Sequence, residues 1–181
     1  MRKFLLAFTF ISLFASASAQ NVQFGLTAGF TNIDLKVKDG TNDDFSLSQA
    51  ESGFYVGALL DIAIADNFNV QPEVLYARVE DANFIYIPVL AKLYIQESGF
   101  HVLAGPQANL FIDDVGEGIN TFGLDISFGA GYDITEHFFV DARYSFEVTN
   151  RITNEARDFA GANDASLRAN TLNIGVGYKF Q

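Results

Sequence analysis

The stretch TFGLDISFGAGYD, Thr121 to Asp133, alternates with a strict period of two. Phe122, Leu124, Ile126, Phe128, Ala130 and Tyr132 are apolar. Between them stand Gly123, Asp125, Ser127, Gly129, Gly131 and Asp133, all small or polar. Such alternation marks a β-strand with two unlike faces. One face is continuous and apolar, while the other has no bulk from which to build a core. The fold depends on which face meets solvent, and on what that solvent is.

The pattern recurs along the chain. Val22, Phe24, Leu26, Ala28 and Phe30 form one apolar row, and Phe54, Val56, Ala58, Leu60, Ile62 and Ile64 a second. Val70, Pro72, Val74 and Tyr76 follow, then Ile85, Ile87, Val89, Ala91, Leu93 and Ile95. Next come Phe100, Val102, Ala104, Pro106, Ala108 and Leu110, and, after the opening stretch, Phe138, Val140, Ala142, Tyr144 and Phe146. Leu172, Ile174, Val176, Tyr178 and Phe180 complete the set. No position in these rows is charged or carries an amide. The opposite faces hold Asp61, Glu73, Lys92, Asp125, Asp141, Arg143 and Lys179.

The connectors alternate in size. Asp66-Asn67, Gln96 to Gly99 and Ile134 to His137 are tight turns. Lys36 to Glu51, Asp113 to Asn120 and Thr149 to Asn170 are longer and polar, with the short Glu80 to Asn83 in the same set. Eight strands with short turns at one end and longer loops at the other predict an all-β fold, an eight-stranded antiparallel up-and-down transmembrane β-barrel.

Glycine decides which face is outside. Gly25, Gly29, Gly53, Gly57, Gly105, Gly123, Gly129, Gly131, Gly175 and Gly177 all lie on the polar side, and none lies on the apolar side. A solvent-facing strand position gains nothing from glycine, which weakens a strand. The interior of an eight-stranded barrel is cramped, so glycine there makes room for larger neighbours. The apolar face is therefore outside, and its solvent is lipid. The aromatic residues agree with this. Phe68, Tyr94, Phe100, Tyr132, Phe138, Tyr178 and Phe180 flank the short turns, and Phe30, Phe54, Tyr76, Phe122, Tyr144 and Phe146 lie nearer the loops, as two interfacial girdles. Pro72, Pro88 and Pro106 each remove a ladder donor inside a strand, and predict bulges or local hydration.

The 181-residue length suits one domain. Residues 1–19 read as a signal peptide: Arg2 and Lys3, the apolar run Phe4 to Ala15, and Ala17-Ser18-Ala19 before cleavage at Gln20. The barrel domain is then 20–181. Losing Arg2 and Lys3 takes the formal charge from −11 to −13. That acidity argues against nucleic acid as a partner. Cysteine is absent, which removes disulfides and thiolate metal sites. No later stretch has about 18 uninterrupted apolar residues, so no transmembrane helix is predicted.

Tyr86 to Ile95, YIPVLAKLYI, and His101 to Phe111, HVLAGPQANLF, resemble the bacterial outer-membrane β-barrel family of porin-like proteins. The resemblance implies an integral outer-membrane location in a Gram-negative envelope. It implies lipid and lipopolysaccharide as surroundings, and transfers no binding or catalytic residue. LNIGVGYKF, Leu172 to Phe180, resembles the last-strand signal read by the barrel-assembly machinery, although Gln181 follows the terminal aromatic.

The predicted site is a lumenal charge network of Asp61, Glu73, Lys92, Asp125, Asp141 and Arg143. Five of these, Asp125 excepted, count to similar depths at about 3.3 Å per residue and predict one layer. Unpaired charges in a narrow interior are costly, so they should pair. Arg143, whose planar fork can donate to two carboxylates, is the expected hub of a side-chain plug. Tyr55, Tyr86 and Phe139 supply bulk beside it. His137 falls in a turn and His101 faces inward, without an outward nucleophile to serve, so no enzyme chemistry and no cofactor are expected. Asp39, Asp43 and Asp44, with Asp113, Asp114 and Glu117, read as solvated acidic loops. Arg151, Arg157 and Arg168 read as surface arginines, with lipid phosphates as the alternative. The expectation is a monomeric barrel with a structural or surface-interaction role. A narrow channel or carrier for small solutes, or a component of a secretion or assembly complex, remain alternatives.

Overall fold

The computed structural model describes residues 22–38, 46–96, 98–113, 118–160 and 165–180. The expected signal peptide, the acids Asp39, Asp43 and Asp44, and Asp114 and Glu117 lie outside the described residues. The strands are β1 (Val22–Lys38), β2 (Ser46–Ala65), β3 (Phe68–Val79), β4 (Ala82–Tyr94), β5 (Phe100–Phe111), β6 (Phe122–Asp133), β7 (Phe138–Glu147) and β8 (Ser166–Lys179). Each pairs antiparallel with its sequence neighbour, and β1 pairs with β8, so the sheet closes into a barrel. The closing ladder runs from Gly25↔Lys179 to Lys38↔Ser166.

The apolar rows face outward. Every one of those positions is exposed or half-exposed except Ile62, which is buried close to the register shift between Ala63 and Ala65. Outer-face aromatics form contacts at both ends. Phe100 packs on Tyr132 with ring centroids 4.5 Å apart, and Tyr178 on Phe138 at 4.9 Å. Near the loops Tyr144 meets Phe146 at 4.7 Å. Tyr94 departs from the expected girdle. It shares the inward parity of Lys92 and gives its hydroxyl to Asp133 at 2.9 Å.

The prolines cause no bulge. The β2–β3 ladder skips Pro72 and its partner Leu60 while keeping register, from Leu59↔Glu73 to Ile62↔Val70. Pro88 sits in the corresponding lapse between Pro72↔Val89 and Leu75↔Tyr86, and Pro106 in that between Pro88↔Gln107 and Ala91↔Ala104. Each missing N–H interrupts one ladder, and the bonds on either side hold the register.

β1 and β2 are longer than the apolar pattern predicts, at 17 and 20 residues. About 9–11 residues span a membrane as a tilted strand, so this hairpin projects beyond the hydrocarbon. There its outward residues, Asn32, Asp34 and Lys36, are polar, and backbone pairing continues without an apolar face. The β7–β8 connection contains a short helix, α1 (Asn154–Ala160), which the strand pattern did not announce. Thr153 caps it, accepting the Ala156 N–H on Oγ1 at 3.2 Å. An Ile119↔Ile152 bridge ties this connection to the β5–β6 loop. Gly99, at φ 74°, turns β4 into β5 in a conformation other residues rarely adopt.

Inside, glycine makes room as expected. A Cβ on Gly175 would fall on the Tyr55 hydroxyl, and one on Gly177 on the Phe139 ring. Two measurements check these faces. Ile126→Lys should lower barrel stability by about 2–4 kcal/mol in bilayer unfolding titrations, as a cation placed against lipid. Gly177→Ala should cost about 1–3 kcal/mol by overpacking, and Phe139→Leu should recover part of that loss in the double variant. A neutral Ile126→Lys would mean that this face does not meet lipid.

Candidate functional site

Ten of the described inward charges form three tiers along the barrel axis. At the short-turn end, the descending strands β2, β4, β6 and β8 each contribute one charge: Asp61, Lys92, Asp133 and Lys179. Lys92 Nζ lies 3.1 Å from Asp61 Oδ2 and 3.7 Å from Asp133 Oδ1. Lys179 Nζ lies 3.5 Å from Asp61 Oδ2 and 2.8 Å from Asp133 Oδ2. Signs alternate around this four-membered ring, so each lysine is shared by both carboxylates. Asn69 donates to the remaining Asp61 oxygen at 2.5 Å. The Phe139 ring lies beside both ammonium groups, at 5.6 and 5.9 Å. His101 is buried with Nδ1 3.6 Å from Asp133.

The middle tier is built on Arg143. Its Nη1 donates to Glu73 Oε2 at 2.8 Å, and Gln71 donates to the other Glu73 oxygen at 2.6 Å. Arg143 Nε lies 3.2 Å from Asp141 Oδ1, out of line for a hydrogen bond, and so makes an ion pair. Gly129 leaves space for this side chain, since a Cβ there would sit 2.9 Å from Arg143 Cγ. Tyr55 is buried beside it.

The third tier, toward the loops, holds Asp125, Glu147 and Arg151. Asp125 accepts from Gln107 and Asn109, each at 2.9 Å. Glu147 lies 2.9 Å from Arg151 Nε and accepts the Ala169 N–H at 2.6 Å. Arg151 also donates to Asn109 Oδ1, which links the two acids.

Depths counted along the strands misjudged this arrangement. Asp61 and Lys92 belong to one tier and Glu73, Asp141 and Arg143 to another, because strand tilt and stagger displace residues equally far from their turns. Asp125 takes its contacts from amides, apart from Arg143. Arg151, expected at the surface, is 5% exposed inside the upper lumen. Lys179 and Asp133 were visible on the inward face of their strands and complete the lower ring. Glu147 follows from continuing the Arg143-Ser145 alternation by two residues. In the loops, Asp113 accepts the Asn83 backbone N–H at 2.7 Å, and His137 sits in its turn with Nδ1 3.0 Å from the Lys179 carbonyl oxygen. Among the described residues no three His, Cys, Asp or Glu side chains gather as a metal site.

The ring makes a quantitative prediction. Lys179→Met leaves two buried carboxylates on one ammonium, and should cost about 3–5 kcal/mol in bilayer unfolding. Adding Asp133→Asn should restore much of that stability. A double variant no better than the single would show that the pairing carries no energy.

Comparison with known proteins agrees with this architecture. The family model for the outer membrane protein beta-barrel domain matches residues 4–180. Neisserial surface protein A, NspA, aligns at 19% identity over 87% of this chain and 97% of that one, with a TM-score of 0.51. Ail, the attachment invasion locus protein of Yersinia pestis, aligns at 15% identity over 89% and 100%, with a TM-score of 0.48. OprG from Pseudomonas aeruginosa aligns at 18% identity over 89% and 97%, with a TM-score of 0.44. A search of curated proteins finds no match. The likeness to NspA extends to the fold alone, but the family match spans nearly the whole chain. This chain belongs to the outer membrane protein beta-barrel domain family and is an integral protein of the bacterial outer membrane.

Proposed function

We propose that the protein acts as a closed, monomeric barrel with a structural or surface-interaction role, and not as a conduit or a catalyst. The reading rests on one observation: bulky or paired side chains fill the lumen from the short-turn end up through its middle. Phe139 and Lys92 lie at the short-turn end, Arg143 and Tyr55 in the middle, and Leu75 and Tyr86 above, each no more than 3% exposed. Interaction then falls to the loop end, which in barrels of this kind faces outward from the cell. Lys36, Arg78 and Arg168 point outward there, beyond the apolar band. They suit the phosphates of lipopolysaccharide, the proposed lipid partner. The last strand is proposed to engage the barrel-assembly machinery during insertion. Among the described residues, neither histidine stands beside a nucleophile with access to substrate, which supports a non-enzymatic role.

Planar-bilayer recording tests this. Wild-type protein should show no steady conductance. Arg143→Ala alone should remain largely closed, because the lower ring still stands. Combining it with Lys92→Ala should leave a surplus of carboxylates, draw in water and give small cation-selective openings. Steady conductance from the wild type would favour a narrow channel or carrier. Stoichiometric co-purification with other envelope proteins would favour the complex alternative.

A further inference from the structure

On three of the strands the interior changes character toward the loops. On β3 the inward residues run Gln71, Glu73, then Leu75, Ala77 and Val79. β1 passes from Thr27 and Thr31 to Ile33, and β8 from Asn173 and Thr171 to Ala169. The loop end of the lumen is therefore an apolar cup of about 250 Å³, walled by Ile33, Val79, Phe84, Phe111 and Leu167. Ile33, Val79 and Phe84 are buried, yet they enclose this volume without filling it, and an unfilled apolar cavity forfeits dispersion contacts that a guest would restore. We propose that this cup is a binding site for a small, uncharged aromatic molecule entering from the loop side.

Three features define the ligand. Size comes first. An apolar cavity of about 150 Å³ holds benzene, so this cup suits a fused two-ring molecule. Its floor is closed, with Leu75, Ala77 and Tyr86 at 0–1% exposure, so it retains a ligand and does not pass one on. Second, the polar groups that line the cup, Arg151, Glu51 and Asn120, each have a partner. Arg151 is held by Glu147 and Asn109. Glu51 accepts from Gln49 at 2.9 Å, and Asn120 donates its backbone N–H to the Arg151 carbonyl at 2.7 Å. Among the described lining residues the one cation, Arg151, is held by Glu147, Glu51 would repel an anion, and the apolar wall disfavours charge of either sign, so the ligand is uncharged. Third, one wall is aromatic. Phe84 meets Phe111 edge-to-face at 4.7 Å and 80°, and stacks with Tyr86 at 6.0 Å. Such a wall favours an aromatic guest through further edge and offset contacts. The site stands apart from the surface role and does not require it, since a conducting lower lumen would leave the cup intact.

The test uses full-length mature protein in lipid nanodiscs, with naphthalene as probe and NMR as readout. Saturable intermolecular NOEs from naphthalene to the methyl groups of Val79 and Leu167 are expected. Ala169→Phe, which fills the cup, should weaken binding at least tenfold. Leu35→Gln, which makes the wall polar at similar volume, should weaken it several-fold while the amide spectrum stays that of the folded barrel. Naphthoate should bind at least tenfold more weakly than naphthalene. NOEs confined to outward methyls such as Ile126 would show partition into lipid and overturn the site. Equal binding of naphthoate, or unchanged binding in both folded variants, would overturn it as well.

Discussion

The ladder between β1 and β8 is the contact on which the rest of this structure depends. Lipid offers the backbone no hydrogen-bond partner, so a membrane-spanning sheet must leave no edge. Pairing from Gly25↔Lys179 to Lys38↔Ser166 removes the edge and fixes the strand number at eight. Eight strands enclose only enough space for side chains. That narrowness explains the glycines opposite Tyr55 and Phe139. Pairing on both sides of every strand also lets three prolines be tolerated, since each breaks one ladder and the neighbouring pairs hold register.

The same narrowness governs the charges. A lone buried ion in so little water is costly, and an ion pair offsets that only with good geometry and further hydrogen bonds. The lower ring meets this condition by sharing. Asp133 takes Lys179, Lys92 and the Tyr94 hydroxyl, and Asp61 takes both lysines and Asn69. The middle tier pairs Arg143 with Glu73 and Asp141, and the upper tier joins Glu147 to Asp125 through Arg151 and Asn109. Charges from sequence-distant strands thus brace the barrel across its interior. Beside the upper tier, the inward residues of β1, β3 and β8 turn apolar, so the loop-side lumen has one charged wall and one apolar wall within one continuous sheet.

Much of this was legible in the sequence because period-two alternation reports the two faces of a strand directly. The outward rows, the inward glycines and the inward parity of Asp61, Lys92 and Arg143 could all be read residue by residue. Height along the axis could not, because it depends on tilt and stagger, which leave no mark in a single strand. Arg151 escaped for a different reason. It lies past the end of β7, where alternation stops, and its inward turn is set by Glu147. The apolar cup escaped because Ile33 and Val79 lie beyond the outward apolar rows, between the polar residues Asn32 and Asp34 and between Arg78 and Glu80, where the outward pattern that marks a strand has ended. Polar pairing also carried β1 and β2 beyond the apolar band, where hydropathy is silent about strand length.

The central claim is that paired side chains keep water out of the middle of the lumen. Ser127 is inward, 1% exposed and hydrogen-bonded to Ser145 at 2.6 Å. The chain has no cysteine, so Ser127→Cys would supply a single, nearly isosteric thiol. Its reaction with a membrane-impermeant, charged thiol reagent, measured on folded barrels in lipid vesicles, tests the claim most directly. The account predicts no modification in the folded protein and full modification after unfolding. Rapid modification of the folded barrel would show a water-filled lumen and contradict it.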